Sequence, residues 1–595
     1  MRLSSGEKLL INGYFIFLIT LLFIRAINVP LTPDEAFSYF LYIEPGYFTS
    51  PEAQLDANNH FLNSVLSWLS TMVFGHHTLV IRLSSLLAFP LFFYANTGIA
   101  KQLPSKTLFW IGFFTLTSIY PFFEFFALSR GYGLSFAFMS LAIYHVFKYQ
   151  KDHSPKRYIW LIIGLVGGML SQLGLLFVFS GITVLIIVIY TLYAQKNYRS
   201  NLFFGLYTLV SVCSILLFVN HILFLNELDL LYYGDATNFP FFNSLTVMDI
   251  TFHQSSALLS YLFLSFIAII CVAFIVAVYN HKMNYFSKAQ SVFGFLLLTS
   301  LIAITFSVYV LKAPGPIDRT ALYLLFLCLG GMLFFPTTTY HLNRFVQYSC
   351  LAIPCAFILV ANSNKMYYWE QEAIDDEIYT YINNPNYTNY TIAGSRYLDR
   401  LFYASQLFNK HNPKIYHIST NSKTPANFLL LTQHDYTLFG DKENYSIRWN
   451  KREKGVLLLE RKQHISTEKI QHNILNLESG NNAYLATNSF YMDTAQDKHL
   501  LLDVSLKLQI DGSGHDFLFT TSFFDKEGNS LENRYIALNT IKRKWTEKTT
   551  NFIVPVFEIP DSTSEIRNYI YNPKEKEYVG HTINYTYSRY IIQNY

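Results

Sequence analysis

Charge is scarce in this 595-residue chain: only 14% of the residues are Asp, Glu, Lys or Arg, while 51% are hydrophobic. The formal net charge is +4, and no long run of Lys or Arg is present that could follow a phosphate backbone, so nucleic acid is not an expected partner. Cysteine is scarce too. The five cysteines lie in or beside apolar segments, which excludes both CxxC metal spacing and a disulfide framework.

Long apolar runs fill the first part of the chain, whereas the part after Asn362 is rich in Lys, Glu, Asp and Asn. A helix that crosses the hydrocarbon core needs about 20 mostly apolar residues, and about eleven stretches approach or meet that length. These predict a polytopic α-helical membrane domain over residues 1–361. The predicted spans are Leu9–Ile27, Leu79–Ile99, Leu108–Tyr120, Leu134–Phe147, Tyr158–Leu170, Leu173–Tyr193, Leu202–Phe224, Leu258–Tyr279, Val292–Leu311, Ala321–Phe335 and Phe345–Val360.

The distribution of Lys and Arg predicts the orientation, because positively charged short loops stay in the cytoplasm. With the N-terminus in the cytoplasm, the external loops hold only a few cations, roughly Arg130, Lys312 and Arg319. The first external loop, 28–78, contains neither Lys nor Arg. An odd number of spans then places everything after the last span outside. We expect a bacterial inner-membrane protein whose C-terminal domains are periplasmic.

Two external domains are predicted after the last span. Alternating helix-like and strand-like segments indicate a small α/β domain over residues 362–462. Short strands separated by turn signals such as Glu527–Asn529 indicate a β-sandwich over residues 463–595. Trp545, Tyr569 and Tyr571 are candidates for stacking on sugar rings, and the alternative is an ordinary place in the sandwich core.

An acidic pair, Asp34 and Glu35, opens the first external loop directly after Pro33. Two adjacent carboxylates at a membrane boundary are costly unless they are solvated, paired or functional. One interpretation is the start of a helix, because first-turn carboxylates complement the helix dipole and proline suits the first helical position. The other interpretation is a catalytic pair.

Three segments follow one another along the chain. PDEAFSYFLYI begins at Pro33, ANNHFLNSVLSWL contains His60, and GHHTLVIRLSSLLAF, which opens the second predicted span, contains Arg82. In this order they resemble the GT-C superfamily of integral membrane glycosyltransferases, which includes protein O-mannosyltransferases and aminoarabinose transferases. The matching family features are an acidic pair followed by aromatics, a His-Pro-Pro-Leu segment and an Arg-Leu signature. The chain departs from them at Phe61 and Leu62, where the family has paired prolines.

Two later segments extend the resemblance: SRGYGL contains an Arg-x-Tyr pattern at Arg130 and Tyr132, and GPIDRTALY contains the late external Arg319. The resemblance implies a GT-C-like enzyme that moves a sugar from a polyprenyl-phosphate-linked donor to a glycan, lipid or protein acceptor. It also implies that Asp34 is the base that activates the acceptor, with Glu35 as a helper or a helix cap.

Arginine can bind a phosphate through two parallel hydrogen bonds, whereas lysine supplies a point charge, and polar side chains can bind sugar hydroxyls. Interfacial anchoring is the alternative role for the arginines, an exposed turn is the alternative for the asparagine, and pairing of Glu124 with Arg130 is a further alternative. The predicted substrate-binding residues are His60, Asn59, Arg130, Tyr132, Lys312 and Arg319.

No cofactor is expected, and one Asp-Glu step is a weak signal for a divalent ion, so we expect no obligatory metal. The alternative function is a non-catalytic membrane transporter or a partner in polysaccharide assembly or binding. A transporter usually places ionisable residues near the bilayer midplane and often has paired halves. Here the charged residues concentrate near the predicted external ends, and no repeat is evident, which favours the enzyme.

Overall fold

A computed structural model describes most of the chain and divides it into two units. The first unit comprises Met1–Val29 and Leu55–Tyr368, and the second comprises Pro30–Gln54 and Trp369–Tyr595. The structure describes residues 3–592 apart from 51, 194–197, 232–240, 254–255, 336–339, 388–389, 396–397, 399–400, 402–414, 419–425, 451–454, 464, 493–499, 511–516, 542–544, 546–547 and 557–558.

The first unit is helical, and its helices coincide with the apolar runs. Each of the predicted spans lies largely on helix. The helices are α1 Ser5–Asn28, then, after α2 of the second unit, α3 Phe61–Phe74, α4 Thr78–Ala100, α5 Lys106–Thr117, α6 Tyr120–Phe126, α7 Gly131–Asp152, α8 Lys156–Ser171, α9 Leu176–Tyr193, α10 Tyr198–Glu227, α11 Phe241–Phe252, α12 Ala257–His281, α13 Ser291–Tyr309, α14 Leu322–Leu333, α15 Tyr340–Ser349 and α16 Ala352–Val360.

Seven helical segments within the described ranges are long and apolar enough to cross a membrane. An eighth results if α5 and α6, which are bent by 49° at their junction, form one broken span. The prediction of about eleven spans is therefore too high for the described residues: α8 and α14 fall short of that length, with 16 and 12 residues, and α7, with 22 residues, is not apolar enough. The prediction of a polytopic α-helical membrane domain is therefore confirmed, whereas the sidedness of its loops stays a prediction.

Small residues let the central helices approach each other closely, as is common where helices pack in membranes. A Cβ atom at Gly164 of α8 would lie 2.8 Å from the Cβ of Ala142 on α7, closer than such atoms pack. Any larger residue at this position would push the two helices apart.

The second unit begins with α2, Pro33–Ser38, which continues into a π-helical turn over Tyr39–Ile43. Helix α17, Asp376–Ile382, precedes a mixed five-stranded sheet with the strand order β2-β1-β3-β5-β4. Helix α18, Gln433–Leu438, lies in the sequence between β3 and β4 of this sheet. Strand β1 is parallel to β2 and β3, while β5 is antiparallel to β3 and β4. The strands are β1 Ile392–Ser395, β2 Ile415–Ile418, β3 Phe428–Leu431, β4 Tyr445–Trp449 and β5 Leu457–Arg461.

The remaining strands form two antiparallel four-stranded sheets, β10-β9-β12-β7 and β11-β8-β13-β6. Side chains of both sheets share one core, and β8 alternates buried and half-buried residues along its second half, as a sandwich strand should. A short helix, α19 Leu538–Ile541, follows β10. The strands are β6 Ile465–Asn476, β7 Tyr484–Tyr491, β8 Leu500–Ile510, β9 Leu518–Phe524, β10 Ser530–Ala537, β11 Thr550–Val556, β12 Glu565–Tyr571 and β13 Tyr578–Ile592.

The three aromatic candidates of this region have different environments. Trp545 is 1% exposed and belongs to the shared core, so the ordinary core interpretation holds for it. Tyr569 and Tyr571 are half-buried, and both contact the exposed ring of Tyr484. The fold class, membrane helices followed by a β-rich region, is confirmed, and the division into domains at residues 361 and 462 stays a prediction.

Candidate functional site

The acidic pair of the first loop lies in the first turn of α2. Thr32 caps this helix: its Oγ1 accepts a hydrogen bond from the Glu35 backbone N–H at 3.2 Å. Glu35 Oε2 in turn accepts from the Thr32 backbone N–H and from Thr32 Oγ1, both at 3.1 Å. This reciprocal capping box provides acceptors for backbone N–H groups that have no partner within the first turn of a helix. Pro33 suits the same turn, because proline has no N–H group to satisfy. Glu35 thus has the helix-cap geometry, beside a half-buried Asp34.

Four of the predicted substrate-binding residues lie together in the first unit. His60 precedes α3, Arg130 and Tyr132 lie at the start of α7, and Arg319 lies in a 3-10 turn, Asp318–Ala321. All four are buried, with exposed fractions of 7%, 0%, 2% and 4%. Together with Asn58, whose amide oxygen accepts a hydrogen bond from Arg130 Nη2, they form what we call the arginine cluster.

The close approach of two helix starts builds this cluster. His60 Nδ1 donates to the carbonyl oxygen of Ser171, the last residue of α8, at 2.7 Å. The His60 and Tyr132 rings pack edge to face with centroids 4.9 Å apart. Gly131 lies between them, and a Cβ on this residue would overlap both the Ser171 carbonyl oxygen and the His60 side chain. The glycine of the SRGYGL motif is therefore required for the packing of the histidine.

Electrostatics keep the His60 ring neutral. Burial is the main cause that lowers the pKa of His60 well below its usual range, and the positive charges of Arg130 and Arg319 lower it further. Because Nδ1 carries the proton that is donated to Ser171, Nε2 carries a lone pair. This Nε2 atom is buried and has no hydrogen-bond partner among the residues that the structure describes. The site therefore contains a neutral hydrogen-bond acceptor, which can bind a hydrogen-bond donor such as a sugar hydroxyl.

Arg319 is held by aromatic side chains. Its Nε donates to the Tyr132 hydroxyl at 3.2 Å, and its Cζ lies 4.7 Å from the centre of the Tyr368 ring, within range of a cation–π interaction. The Tyr368 hydroxyl donates to Asp318 Oδ2 at 3.3 Å, and the Asp318 backbone N–H donates to Thr246 Oγ1 at 2.9 Å. Tyr368 was absent from the sequence-based candidates, because an isolated tyrosine after the last apolar run carries no signal.

The other two predicted substrate-binding residues have different surroundings. Asn59 Oδ1 accepts from Ser64 Oγ at 3.2 Å, a local contact at the start of α3, and it is the neighbouring Asn58 that binds Arg130. Lys312 is exposed, in a left-handed conformation with φ of 57°. Among the described residues, no hydrogen bond or ion pair joins Lys312 to the arginine cluster.

The alternative pairing of Glu124 with Arg130 does not occur. Glu124 Oε1 instead forms a buried salt bridge with Arg25 Nη2 at 3.0 Å. Within the described ranges, no group of three or more His, Cys, Asp or Glu side chains is placed to hold a metal ion.

Comparisons with known proteins give neither a matching family model nor a matching curated sequence. Over 25% of its length the chain is similar to 38% of VP2 in an infectious bursal disease virus subviral particle, with a TM-score of 0.15 and 13% identity. Two crystal structures of ArnT from Cupriavidus metallidurans are similar over a larger part. The apo form has a TM-score of 0.35 and 10% identity over 76% of this chain and 98% of that chain. The form bound to undecaprenyl phosphate has a TM-score of 0.33 and 11% identity over 77% and 98%.

Proposed function

We propose that this protein is a GT-C-type, inverting glycosyltransferase that transfers a sugar from a polyprenyl-phosphate-linked donor to an acceptor hydroxyl on the external face of the membrane. The observation that supports it is the arginine cluster. Two buried guanidinium groups flank a neutral imidazole in the unit that holds the membrane helices, at positions that the GT-C resemblance marks. Such a site combines positive charge, which attracts a phosphate, with a neutral hydrogen-bond acceptor for a hydroxyl of the sugar.

The phosphate of the donor is the leaving group, so its developing charge must be stabilised. Arg130 and Arg319 suit this role because a guanidinium binds phosphate oxygens through two parallel hydrogen bonds. Burial strengthens the attraction, since charges interact more strongly where water is excluded. Tyr132 and Tyr368 fix the orientation of Arg319 before the substrate arrives.

The acceptor hydroxyl requires a base, and Asp34 is our candidate. The acceptor proton passes to the Asp34 carboxylate while the acceptor oxygen bonds to the anomeric carbon. The bond between that carbon and the phosphate oxygen breaks, and both of its electrons leave with the polyprenyl phosphate. Glu35 supports this step as the cap of the helix that carries Asp34. His60 Nε2 accepts a hydrogen bond from a hydroxyl of the transferred sugar.

The replacement Asp34→Asn tests the proposal. Removing a general base reduces the rate by about 10² to 10⁴-fold. Mass spectrometry of envelope glycans and lipids compares cells that carry the wild type, the variant or no copy of the protein. We expect the glycan profile of cells with the variant to match that of cells without the protein: in both, one sugar is missing from a defined acceptor. Native mass spectrometry with undecaprenyl phosphate should show that lipid binding survives.

Asp376→Asn is the matched control, because Asp376 also lies in the first turn of a helix, α17, and is exposed. It should leave the glycan profile unchanged. If Asp34→Asn leaves the profile unchanged as well, Asp34 is not the base. A transporter makes another prediction: deletion would alter where a glycan accumulates without removing a sugar from its covalent structure.

A further inference from the structure

A cleft of about 310 Å³ lies beside the β4–β5 edge of the five-stranded sheet. This volume is at the lower end of ordinary small-molecule sites, which span about 300–1,000 Å³. Three cationic side chains line the cleft, Arg448, Arg461 and Lys462, together with one carboxylate, Glu460. The lining therefore carries a net positive charge, which favours an anionic ligand.

The backbone of the edge strand directs one of these cations. Ile447 pairs with Leu459 and Trp449 pairs with Leu458, so Arg448 is the extra residue of a β-bulge. Bulges of this kind redirect a side chain, often next to a binding site. Arg448 Nε contacts Glu460 Oε2 at 2.5 Å, yet the Arg448 side chain is 54% exposed. The Arg448 side chain, which lines the cleft, thus remains accessible to a ligand.

Arg461 provides a second, independent indication of a ligand. Its side chain is only 9% exposed. Nη1 donates to the Tyr445 hydroxyl at 3.2 Å and lies 3.6 Å from Asp441 Oδ2. Its Nε atom is buried and has no hydrogen-bond partner among the residues that the structure describes. A buried N–H without an acceptor costs free energy, and a ligand oxygen in the cleft would remove that cost.

Neutral polar groups complete the cleft. Tyr390, Asn427 and Ser446 belong to the lining. Tyr390 adds an aromatic ring and Ser446 a hydroxyl, while the Asn427 amide is bound to Thr391 and to the Ile465 carbonyl. Lys462 Nζ donates to a backbone carbonyl, that of Glu443, at 2.7 Å, so its positive charge is not neutralised by that contact. Even when Asp441 is counted with Glu460, the three cations leave the site positive.

We propose that this cleft binds an anionic monosaccharide unit, a sugar that bears a carboxylate or a phosphate group. The guanidinium groups bind the anionic group, and the Tyr390 ring and the Ser446 hydroxyl contact the sugar. This inference goes beyond the proposed function and does not depend on it, because all lining residues belong to the second unit and binding is measured without sugar transfer.

Titration calorimetry of the full-length protein in detergent tests the proposal with four probes: glucuronate, glucose 6-phosphate, glucose and inorganic phosphate. We expect both anionic sugars to bind at least tenfold more tightly than glucose, and more weakly as the salt concentration rises. Inorganic phosphate should bind at least tenfold more weakly than glucose 6-phosphate. Equal affinity for glucose and glucuronate overturns the role of charge. Equal affinity for phosphate and glucose 6-phosphate overturns the role of the sugar.

Variants locate the site. Arg461→Gln should abolish binding of glucuronate, and Arg448→Gln should weaken it at least tenfold. Arg448 lies on an exposed edge strand, so Arg448→Gln should fold normally. It therefore still tests the proposal if Arg461→Gln fails to fold. Arg534→Gln is the control, since Arg534 forms an equivalent pair with Glu532 at 2.7 Å on β10.

Unchanged affinity in Arg448→Gln, or equal loss in Arg534→Gln, contradicts the proposal. Asp34→Asn should bind glucuronate normally, so failure of the transfer mechanism and failure of this site are distinguishable.

Discussion

Arg25 is a buried arginine of the first unit that can be compared with Arg130 and Arg319 of the arginine cluster. Arg25 is 1% exposed, as deeply buried as Arg130 and Arg319. Its Nη2 pairs with Glu124 Oε1 at 3.0 Å and donates to the Lys365 carbonyl at 2.9 Å. Its Nη1 donates to the carbonyl and side-chain oxygens of Asn362 at 2.6 and 2.9 Å. These contacts join α1, α6 and the segment after α16.

Under the proposed function Arg25 is structural, whereas Arg130 and Arg319 bind the phosphate of the donor. The Arg25 guanidinium is bound by a carboxylate and by backbone carbonyls, and the Tyr120 hydroxyl donates to the same carboxylate at 2.9 Å. Contacts of Arg130 and Arg319 include an amide oxygen, a phenol hydroxyl and an aromatic ring. Burial alone does not distinguish Arg25 from Arg130 and Arg319, so substitutions must test whether their roles differ.

Breaking the Arg25 pair should have the largest effect of all. Glu124→Gln leaves a buried cation without its carboxylate, and such losses cost about 3–5 kcal/mol of stability. We expect a clear decrease in the melting temperature of the detergent-solubilised protein. Glu532→Gln is the control, because the Arg534–Glu532 pair is partly exposed and such pairs contribute about 0–1 kcal/mol. Similar melting temperatures for both variants would show that Arg25 does not depend on its ion pair.

Arg130→Lys should reduce transfer more than it reduces stability. Lysine keeps the charge but loses the two-pronged contact with phosphate, and removing one such donor at a reaction centre costs about 10²-fold in rate. Quantitative mass spectrometry of the glycan product checks the rate, and native mass spectrometry checks binding of undecaprenyl phosphate. Arg25→Lys should show the reverse pattern, a lower melting temperature with transfer per folded molecule retained. If the two variants lose transfer equally, the distinction between Arg25 and the arginine cluster fails.

Sequence patterns predicted the secondary structure better than the pairing of charges. Hydrophobic length predicted the helices because each span must bury an apolar surface by itself. The Glu124–Arg130 alternative relied on proximity in sequence. Helix α6 ends at Phe126 and the chain turns before α7, so Glu124 and Arg130 belong to different helices. The partner of Glu124 is Arg25, which lies on α1. Contacts between distant segments leave no local pattern.

The site itself was partly predictable. The first-turn carboxylates and Pro33 indicated a helix start at Asp34 and Glu35, and the structure adds the capping box between Thr32 and Glu35. The motif around Gly131 indicated Arg130 and Tyr132 as candidates, and their role stays a prediction; it did not indicate that the glycine permits the approach of His60. Tyr368 had no such signal, because its role comes from the return of the chain after the last helix.

Tyr368 provides the finest test of the arginine cluster. Tyr368→Phe keeps the ring near Arg319 but removes the hydrogen bond to Asp318, which is worth about 1 kcal/mol, so transfer should fall roughly fivefold. Since Tyr368 positions the arginine, the loss should appear mainly as a higher KM for the donor, and Tyr368→Ala should lose more. Tyr367→Phe is the control, because it makes the same chemical change at the neighbouring residue, whose hydroxyl donates to Asp249 Oδ1 at 3.1 Å. This variant should leave transfer unchanged. Equal effects of the two phenylalanine variants would mean that the tyrosine only stabilises the fold.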